Sequence, residues 1–200
     1  IFRLQFLRLP GIGEVVTGRE RAISIYPSIG FVGERNADDA AYLTGLRDVD
    51  FAFELGPGVA VRQGWFRAFA QIRYGITGHN GFVGEAGLDY VARPLPKLTV
   101  SAGPRISLAD SAYMETYFGV TPAESLASGL PAYDPGAGIK DLGLGALAEY
   151  ELTQRVRLYA EGTWSRFVGD VADSPIVRRG AEDQFTFGLG ISYRFGADLF

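Results

Sequence analysis

The chain contains no cysteine among its 200 residues. A disulfide framework and a thiolate metal site are therefore both excluded. The sequence also lacks an apolar run of about 18 residues, which excludes a transmembrane helix. With a net charge of −4 and no strongly basic segment, nucleic acid is not expected as the main partner. Glycine (27 residues), Phe (14) and Tyr (10) are abundant, and this composition favours an all-β protein.

Apolar and polar side chains alternate with a period of two along nearly the whole chain. In DQFTFGLGISYRF, residues 183–195, the odd positions from 185 are apolar or aromatic and the even positions are polar or glycine. This period predicts an extended strand with one apolar and one polar face. The same pattern predicts nine strands, most of them about 10 residues long, with apolar rows at 2–6, 23–31, 49–61, 66–76, 82–92, 98–108, 142–152, 156–164 and 185–195.

Charge is confined to one face of these strands. The apolar rows contain no charged residue, whereas the opposite rows carry basic and acidic side chains in nearly equal numbers. A charge facing lipid costs about 2–4 kcal/mol at the bilayer midplane, which would remove charges from a lipid-facing row. Two roles remain open for the inward charges, an ion-pair network that fills a narrow barrel or a path that guides solutes. The candidate lumen-facing residues are Arg67, Arg73, Glu85, Asp89, Arg105, Glu149, Arg157, Glu161 and Arg194.

A soluble barrel would show the same alternation with its apolar face inward. Three features favour the membrane: the long strands, the aromatic residues towards both ends of the apolar rows, and the connections. Tight turns near 63–64, 93–97 and 153–154 alternate with long loops near 33–47, 109–138 and 168–183. Short periplasmic turns and longer outer loops are typical of outer-membrane barrels. The prediction is an antiparallel transmembrane β-barrel with its apolar face in lipid.

The strand count carries a further expectation. Bacterial barrels have an even number of strands, so nine strands predict a total of 10 or 12 in the complete protein. Residues 1–200 are therefore expected to form a single barrel domain that is truncated at its N-terminus. A strand hidden in the 109–138 loop would change this count.

No constellation for catalysis or metal binding is visible. His79 lies in a GHNG turn without an evident nucleophile or carboxylate partner, and we interpret it as a turn residue. The GxSxG, HExxH and P-loop motifs are absent. The acidic pairs Asp38–Asp39 and Asp48–Asp50 suit Ca²⁺ or a bridge to lipopolysaccharide phosphates, but a solvated outer loop is the favoured interpretation. The chain is predicted to be no enzyme, with no catalytic residue, cofactor or metal site.

Several motifs in the C-terminal half are specific as a set. The stretch from Tyr113 to Arg179 contains YFGV, AGIK, YELT and GDVADSPIV, and upstream stands GERNADDAAYLTGLRDVDFAFELG. Over residues 20–195 the chain closely resembles the MipA/OmpV family of Gram-negative outer-membrane proteins. The loop motif residues that carry this resemblance are Tyr117, Phe118, Gly119, Asp173, Ser174 and Pro175.

The resemblance implies an outer-membrane barrel that is exported through the periplasm. It implies outer-membrane lipid and lipopolysaccharide as surroundings, and a scaffold that joins a murein lytic transglycosylase, MltA, to a murein synthase. Other members of the family are linked to adhesion, stress or antibiotic response. A small channel and a surface adhesin therefore remain alternatives, and the short periplasmic turns argue against a large periplasmic platform.

Overall fold

The chain folds into one antiparallel sheet of ten strands, as seen in a computed structural model that describes residues 3–4, 14–16 and 21–193. The strands are β1 (Arg3–Leu4), β2 (Glu14–Val16), β3 (Arg21–Val32), β4 (Ala52–Gln63), β5 (Phe66–Gly75), β6 (Phe82–Leu95), β7 (Leu98–Ala109), β8 (Gly138–Glu151), β9 (Val156–Phe167) and β10 (Asp183–Tyr193). The helices are a 3₁₀ turn at Ala41–Leu43, α1 (Ser111–Phe118), α2 (Pro122–Ser128), α3 (Gly169–Asp173) and α4 (Pro175–Arg179).

The strands β3 to β10 form a meander in which each strand pairs with the next one along the chain. They are 10 to 14 residues long, whereas strands of soluble proteins are usually about 5–6 residues long. The β4–β5 hairpin closes through a two-residue turn, Gly64–Trp65, because Gln63 pairs with Phe66. Gly64 has a φ of 56°, the conformation that such a tight turn requires. The predicted all-β antiparallel barrel class is confirmed.

The structure differs from the strand prediction in two places. Of the predicted 2–6 strand, Arg3 and Leu4 form β1 and pair with β3, and the remainder lies outside the described residues. A strand that was not predicted, β2, also pairs with β3. The 49–61 row begins three residues later, at Ala52. Val49 instead forms an isolated bridge with Arg35 and is buried beneath the outer loops, so it does not face lipid.

The 109–138 loop contains α1 and α2, and this described segment adds no strand to the sheet. The Asp110 side chain accepts a hydrogen bond from the Tyr113 N–H, which starts α1. Thr121 and Glu124 form a reciprocal capping box at the start of α2, with Pro122 in its first turn. None of the helices in the described residues is long and apolar enough to cross a membrane.

The two faces of the sheet differ as the alternation predicts. The outer face leaves large apolar side chains exposed, among them Leu144 at 56% and Leu189 at 84%. Trp65, Phe66, Tyr90, Tyr150 and Tyr193 lie towards one end of this face, and Phe51, Tyr74, Phe82, Trp164 and Phe185 lie towards the other. The inner face instead buries Glu54, Arg73 and Asp89. A surface with this pattern matches lipid outside and a polar interior.

The two edges of the sheet lie at β1 and β2 on one side and at β10 on the other. Within the described ranges, β1 and β2 pair only with β3, and β10 pairs only with β9. The total strand number of the complete protein, and the expected N-terminal truncation, therefore stay predictions.

Candidate functional site

The connections divide the barrel into two ends. Residues 64–65, 96–97 and 152–155 form the short-turn end, and residues 33–51, 76–81, 110–137 and 168–182 form the long-loop end. In outer-membrane barrels the short turns face the periplasm and the long loops face outward. The inner face between these ends carries the predicted charges and is the candidate site.

The three longest loops, residues 33–51, 110–137 and 168–182, pack on one another and form a cap over the long-loop end. Their apolar side chains bury into two clusters. The first cluster joins the cap to the ends of the strands and consists of Val32, Val49, Ala52, Val83, Ala109, Tyr113, Met114, Tyr117, Phe118, Phe167, Val171 and Val177. The second lies between the loops and consists of Leu43, Leu46, Val120, Leu130 and Ile176.

Polar bonds join the three loops of the cap. The Arg35 guanidinium donates to the Tyr117 carbonyl at 2.7 Å, and the Ser174 hydroxyl donates to the Phe118 carbonyl at 2.7 Å. Burial, followed by the nearby Arg47 charge, lowers the pKa of Arg35. The backbone N–H of Arg47 donates to the Glu124 carboxylate at 2.9 Å. The 110–137 loop is thus bonded to both of the others, and the second apolar cluster contains residues of all three loops, so the cap is a folded unit.

The predicted loop motif residues lie within this cap. Tyr117 and Phe118 are buried at the end of α1, and the Gly119 N–H donates to the Glu115 carbonyl. Ser174 is fully buried and Pro175 begins α4, whereas Asp173 pairs with Arg178 at the surface at 2.7 Å. Their observed contacts hold the loops together, and a role in binding a partner stays a prediction.

A buried polar network lies directly beneath the cap. The Arg73 guanidinium donates to one Glu54 carboxylate oxygen at 2.8 Å and to the Ser28 hydroxyl at 3.2 Å. The other Glu54 oxygen lies 3.3 Å from Nε2 of His79. Since the Gly81 N–H donates to Nδ1 of His79, the proton lies on Nε2 and this nitrogen donates to Glu54. The network joins the inner wall to the 76–81 turn.

His79 lies in the 76–81 turn as predicted, but it has a carboxylate partner, Glu54, that the sequence did not reveal. The His79 side chain is buried, and its ring lies edge-on to Tyr113 at a centroid distance of 4.7 Å. A Cβ placed at Gly75 would lie 2.3 Å from the imidazole ring. The sequence signal for this position was therefore Gly75, an inner-face glycine at the end of β5 and four residues before His79, since the imidazole occupies the space that a side chain would fill.

A second ion pair lies further towards the short-turn end. The Arg105 guanidinium is 2.6 Å from the Asp89 carboxylate, and it also lies over the Phe69 ring at 4.9 Å. A Cβ at Gly145 would lie 2.8 Å from Nε of Arg105, so the small inner-face residues leave space for the long charged ones. Asp89 is almost fully buried, and Arg105 supplies the charge that compensates it.

Two cavities flank this pair, one of mixed lining and one lined mainly by polar residues. One, of about 90 Å³, lies below the cap, and both Glu85 and Glu161 line it. Gln71 donates to Glu85 at 2.9 Å, which links the cavity to the network around Arg73. The other cavity, of about 130 Å³, lies at the short-turn end, and we name it the mouth. Its charged lining residues are Arg62, Arg67, Arg93, Arg157, Glu149 and Glu151.

The structure therefore distributes the predicted charges over three levels of the interior. Three of them, Arg73, Glu85 and Glu161, lie near the cap. The pair Asp89 and Arg105 lies in the middle. The mouth contains Arg67, Glu149 and Arg157. Arg194 lies outside the described residues. Sequence reasoning missed the parts of His79, Ser28 and Gln71, because uncharged polar residues on an inner row give no distinct signal.

Acidic residues of the 33–51 loop accept hydrogen bonds from backbone groups of the same loop. Asp39 accepts a hydrogen bond from the Asn36 N–H at 2.8 Å, and Asp48 accepts one from the Ala37 N–H at 2.7 Å. In the part of the chain that the structure describes, no group of three or more His, Asp or Glu side chains is placed to hold a metal ion.

The family of the chain follows from a comparison that covers nearly its whole length. The family described as "MltA-interacting protein MipA" matches residues 3–195. The chain belongs to the MipA family. The strand meander, the apolar outer face and the alternation of loops and turns are those of an outer-membrane barrel, and the MipA-family chain is a protein of the outer membrane.

Curated relatives agree with this placement. The MipA-family chain is 29% identical over 121 residues to "Putative outer membrane protein YiaT" of Escherichia coli, in strains K12 and O157:H7. The match covers 60% of this chain and 47% of each relative, so the chain spans about half the length of the curated relatives it matches. No solved structure matches it significantly.

Proposed function

We propose that this MipA-family barrel is a non-enzymatic scaffold that does not conduct solutes and that holds murein-remodelling enzymes at the outer membrane. The observation that carries the proposal is the occupied interior. Charged side chains on the inner face pair with one another, and the cap covers the long-loop end.

The interior pairs argue against an open pore. Glu54 and Arg73 are 0% and 1% exposed, so the pair beneath the cap is shielded from bulk solvent. Ion-selective pores line a wet path with an excess of one charge sign. The inner face here mixes both signs at close range, with Arg105 and Asp89 only 2.6 Å apart. This arrangement supports a structural interior.

The family description supports the choice of partner. It names an interaction with MltA, so a murein lytic transglycosylase is the proposed first partner and a murein synthase the second. Since the periplasmic connections are short, the docking surface has to be small. Exposed turn residues at this end include Trp65 and Lys97, which belong to the 64–65 and 96–97 turns. Lipid on the apolar face and lipopolysaccharide around the cap complete the proposed surroundings.

Capture of the transglycosylase tests the scaffold role. The full-length barrel in detergent is expected to retain a purified MltA-type transglycosylase on beads. Lys97→Glu and Arg155→Glu, both at the short-turn end, are expected to weaken capture, whereas Arg178→Glu on the cap is the matched control and is expected to have no effect. Retention that is lost only with the cap variant, or absent from the wild type, would contradict the scaffold role.

A small-solute path is the second candidate, and the two cavities of about 130 and 90 Å³ favour it. Planar-bilayer recording of the full-length protein separates the candidates. A scaffold with an occupied interior is expected to give no steady conductance, and a path for solutes is expected to give discrete openings that change when Arg105 is replaced.

A further inference from the structure

The mouth at the short-turn end combines an excess of positive charge with access from the periplasm. Four arginines and two glutamates line its volume of about 130 Å³, which gives a formal charge of +2 (four positive less two negative). Water occupies about 30 Å³ per molecule in the liquid, so the mouth has room for a small anion with part of its hydration.

Like charges face each other directly in the wall of the mouth. Arg62 on β4 and Arg67 on β5 are cross-strand partners in the ladder. Like charges placed directly opposite in an antiparallel pair destabilise the sheet. A negative charge bound between them would relieve this repulsion.

The carboxylate that stands opposite Arg67 on the next strand already forms an ion pair with another residue. Asp89 is the cross-strand partner of Arg67 on β6, but its carboxylate is 2.6 Å from the Arg105 guanidinium. At the rim, Glu151 is likewise occupied by Arg157 at 2.9 Å. Within residues 21–193, no carboxylate lies within 4.0 Å of the guanidinium of Arg62, Arg67 or Arg93.

We infer that the mouth is a binding site for a small oxyanion, a carboxylate or a phosphate, held between Arg62 and Arg67. Guanidinium groups present paired N–H donors that match the two oxygens of such an anion. Thr99 and Ser101 line the same cavity and add hydroxyl donors. Glu149 and Glu151 line the mouth from β8, neither within 4.0 Å of the Arg62 or Arg67 guanidinium, and their charge disfavours a large polyanion. The inference does not rest on the scaffold role.

Anion-dependent stability of the full-length barrel in detergent is the test. Thermal unfolding is followed while sodium phosphate, sodium succinate or sodium chloride is added at a constant ionic strength of about 0.15 M. Phosphate, succinate or both are expected to raise the Tm in a saturable way, while chloride is not. A phosphate-only response assigns the site to phosphate, and a succinate-only response assigns it to carboxylate.

Substitutions of the arginines test whether the anion binds in the mouth. Arg62→Gln and Arg67→Gln are each expected to raise the apparent Kd of the anion at least about tenfold, a change that corresponds to about 1.4 kcal/mol. Arg62→Gln is also expected to raise the Tm without anion, because it removes the like-charge pair. Arg155→Gln is the matched control, since it lies in the 152–155 turn at the same end and does not line the mouth.

Three results would overturn the inference: a chloride response equal to that of the oxyanions, an unchanged Kd in Arg62→Gln, or an equal loss in Arg155→Gln. If Arg67→Gln does not fold, the wild-type titrations and Arg62→Gln decide the question alone.

Discussion

Arg73 donates a hydrogen bond of 2.8 Å to Glu54 in a position where neither side chain reaches solvent. The two residues lie on adjacent strands, β5 and β4, and a Cβ at Gly30 on β3 would lie only 2.6 Å from the same Glu54 oxygen. The pair thus depends on a glycine of a third strand. His79 extends it to the outer turn, so three strands and one loop share a single buried charge network.

Replacing Glu54 by Gln is expected to destabilise the barrel strongly. The change removes the carboxylate 2.8 Å from the buried Arg73 guanidinium and leaves the more distant Glu85, at 4.0 Å, to compensate it. Breaking a buried pair costs about 3–5 kcal/mol. Denaturant unfolding in detergent, followed by tryptophan fluorescence, measures the loss. Glu151→Gln is the control, because the Glu151 and Arg157 side chains are 51% and 37% exposed and an exposed pair contributes at most about 1 kcal/mol. Equal losses would contradict the assignment of the network as structural.

The arginines of the inner face are expected to differ in their effect on stability. Arg105→Gln leaves the buried Asp89 carboxylate uncompensated and is expected to lower the midpoint of unfolding clearly. Arg157→Gln removes only a rim pair and is expected to change the midpoint little. Thermal unfolding and bilayer recording on the same two variants make the comparison. If Arg105→Gln were stable and altered an ion conductance, the interior would be a pore.

Charged substitutions on the outer face are expected to impair insertion into the membrane. Leu144→Arg and Leu189→Arg place a guanidinium on the lipid side of β8 and β10, at a cost of about 2–4 kcal/mol near the midplane. The measurement is the folded fraction after insertion into liposomes, read from the heat-dependent shift of the band in gel electrophoresis. Glu149→Gln on the inner face is the control and is expected to insert normally. Normal insertion of the arginine variants together with failure of Glu149→Gln would reverse the two faces.

Acid is expected to loosen the cap through Glu124. Burial alone would raise the pKa of Glu124, but hydrogen bonds from the Arg47 N–H and from Thr121 outweigh it and hold the pKa below its usual value of 4.5. A carboxylate with a depressed pKa in the folded state stabilises that state above its unfolded pKa and loses the effect as the pH falls through the folded value. The stability difference between wild type and Glu124→Gln should therefore be largest above pH 4.5 and decline below it.

Thermal unfolding of both proteins across this pH range checks the result. Thr121→Val is a further control, because it removes one donor to Glu124 and is expected to reduce the pH dependence without abolishing it. A difference between wild type and Glu124→Gln that stays constant with pH would contradict the role of the ionised carboxylate.

The sequence by itself determined the sheet and its two faces. A period of two in apolar residues is local information, since neighbouring side chains of a strand point to opposite sides, and it predicted β3 to β10. The two-residue turn at Gly64 and the aromatic positions at both ends of the apolar rows are equally local. The strand β2 and the position of Val49 were not predicted in this way, because a short stretch of ladder and burial beneath a loop leave no periodic trace.

Only the tertiary structure decided which inner charges are partners. Asp89 stands opposite Arg67 on β5 yet pairs with Arg105 on β7, which stands opposite Gly87, because the space left by Gly87 and Gly145 admits the Arg105 guanidinium. The burial of His79 and the interlocking of the cap loops have the same origin, contacts between residues far apart in sequence. Alternation fixes the side of the sheet on which a residue lies, and the packing across the interior fixes what that residue contacts.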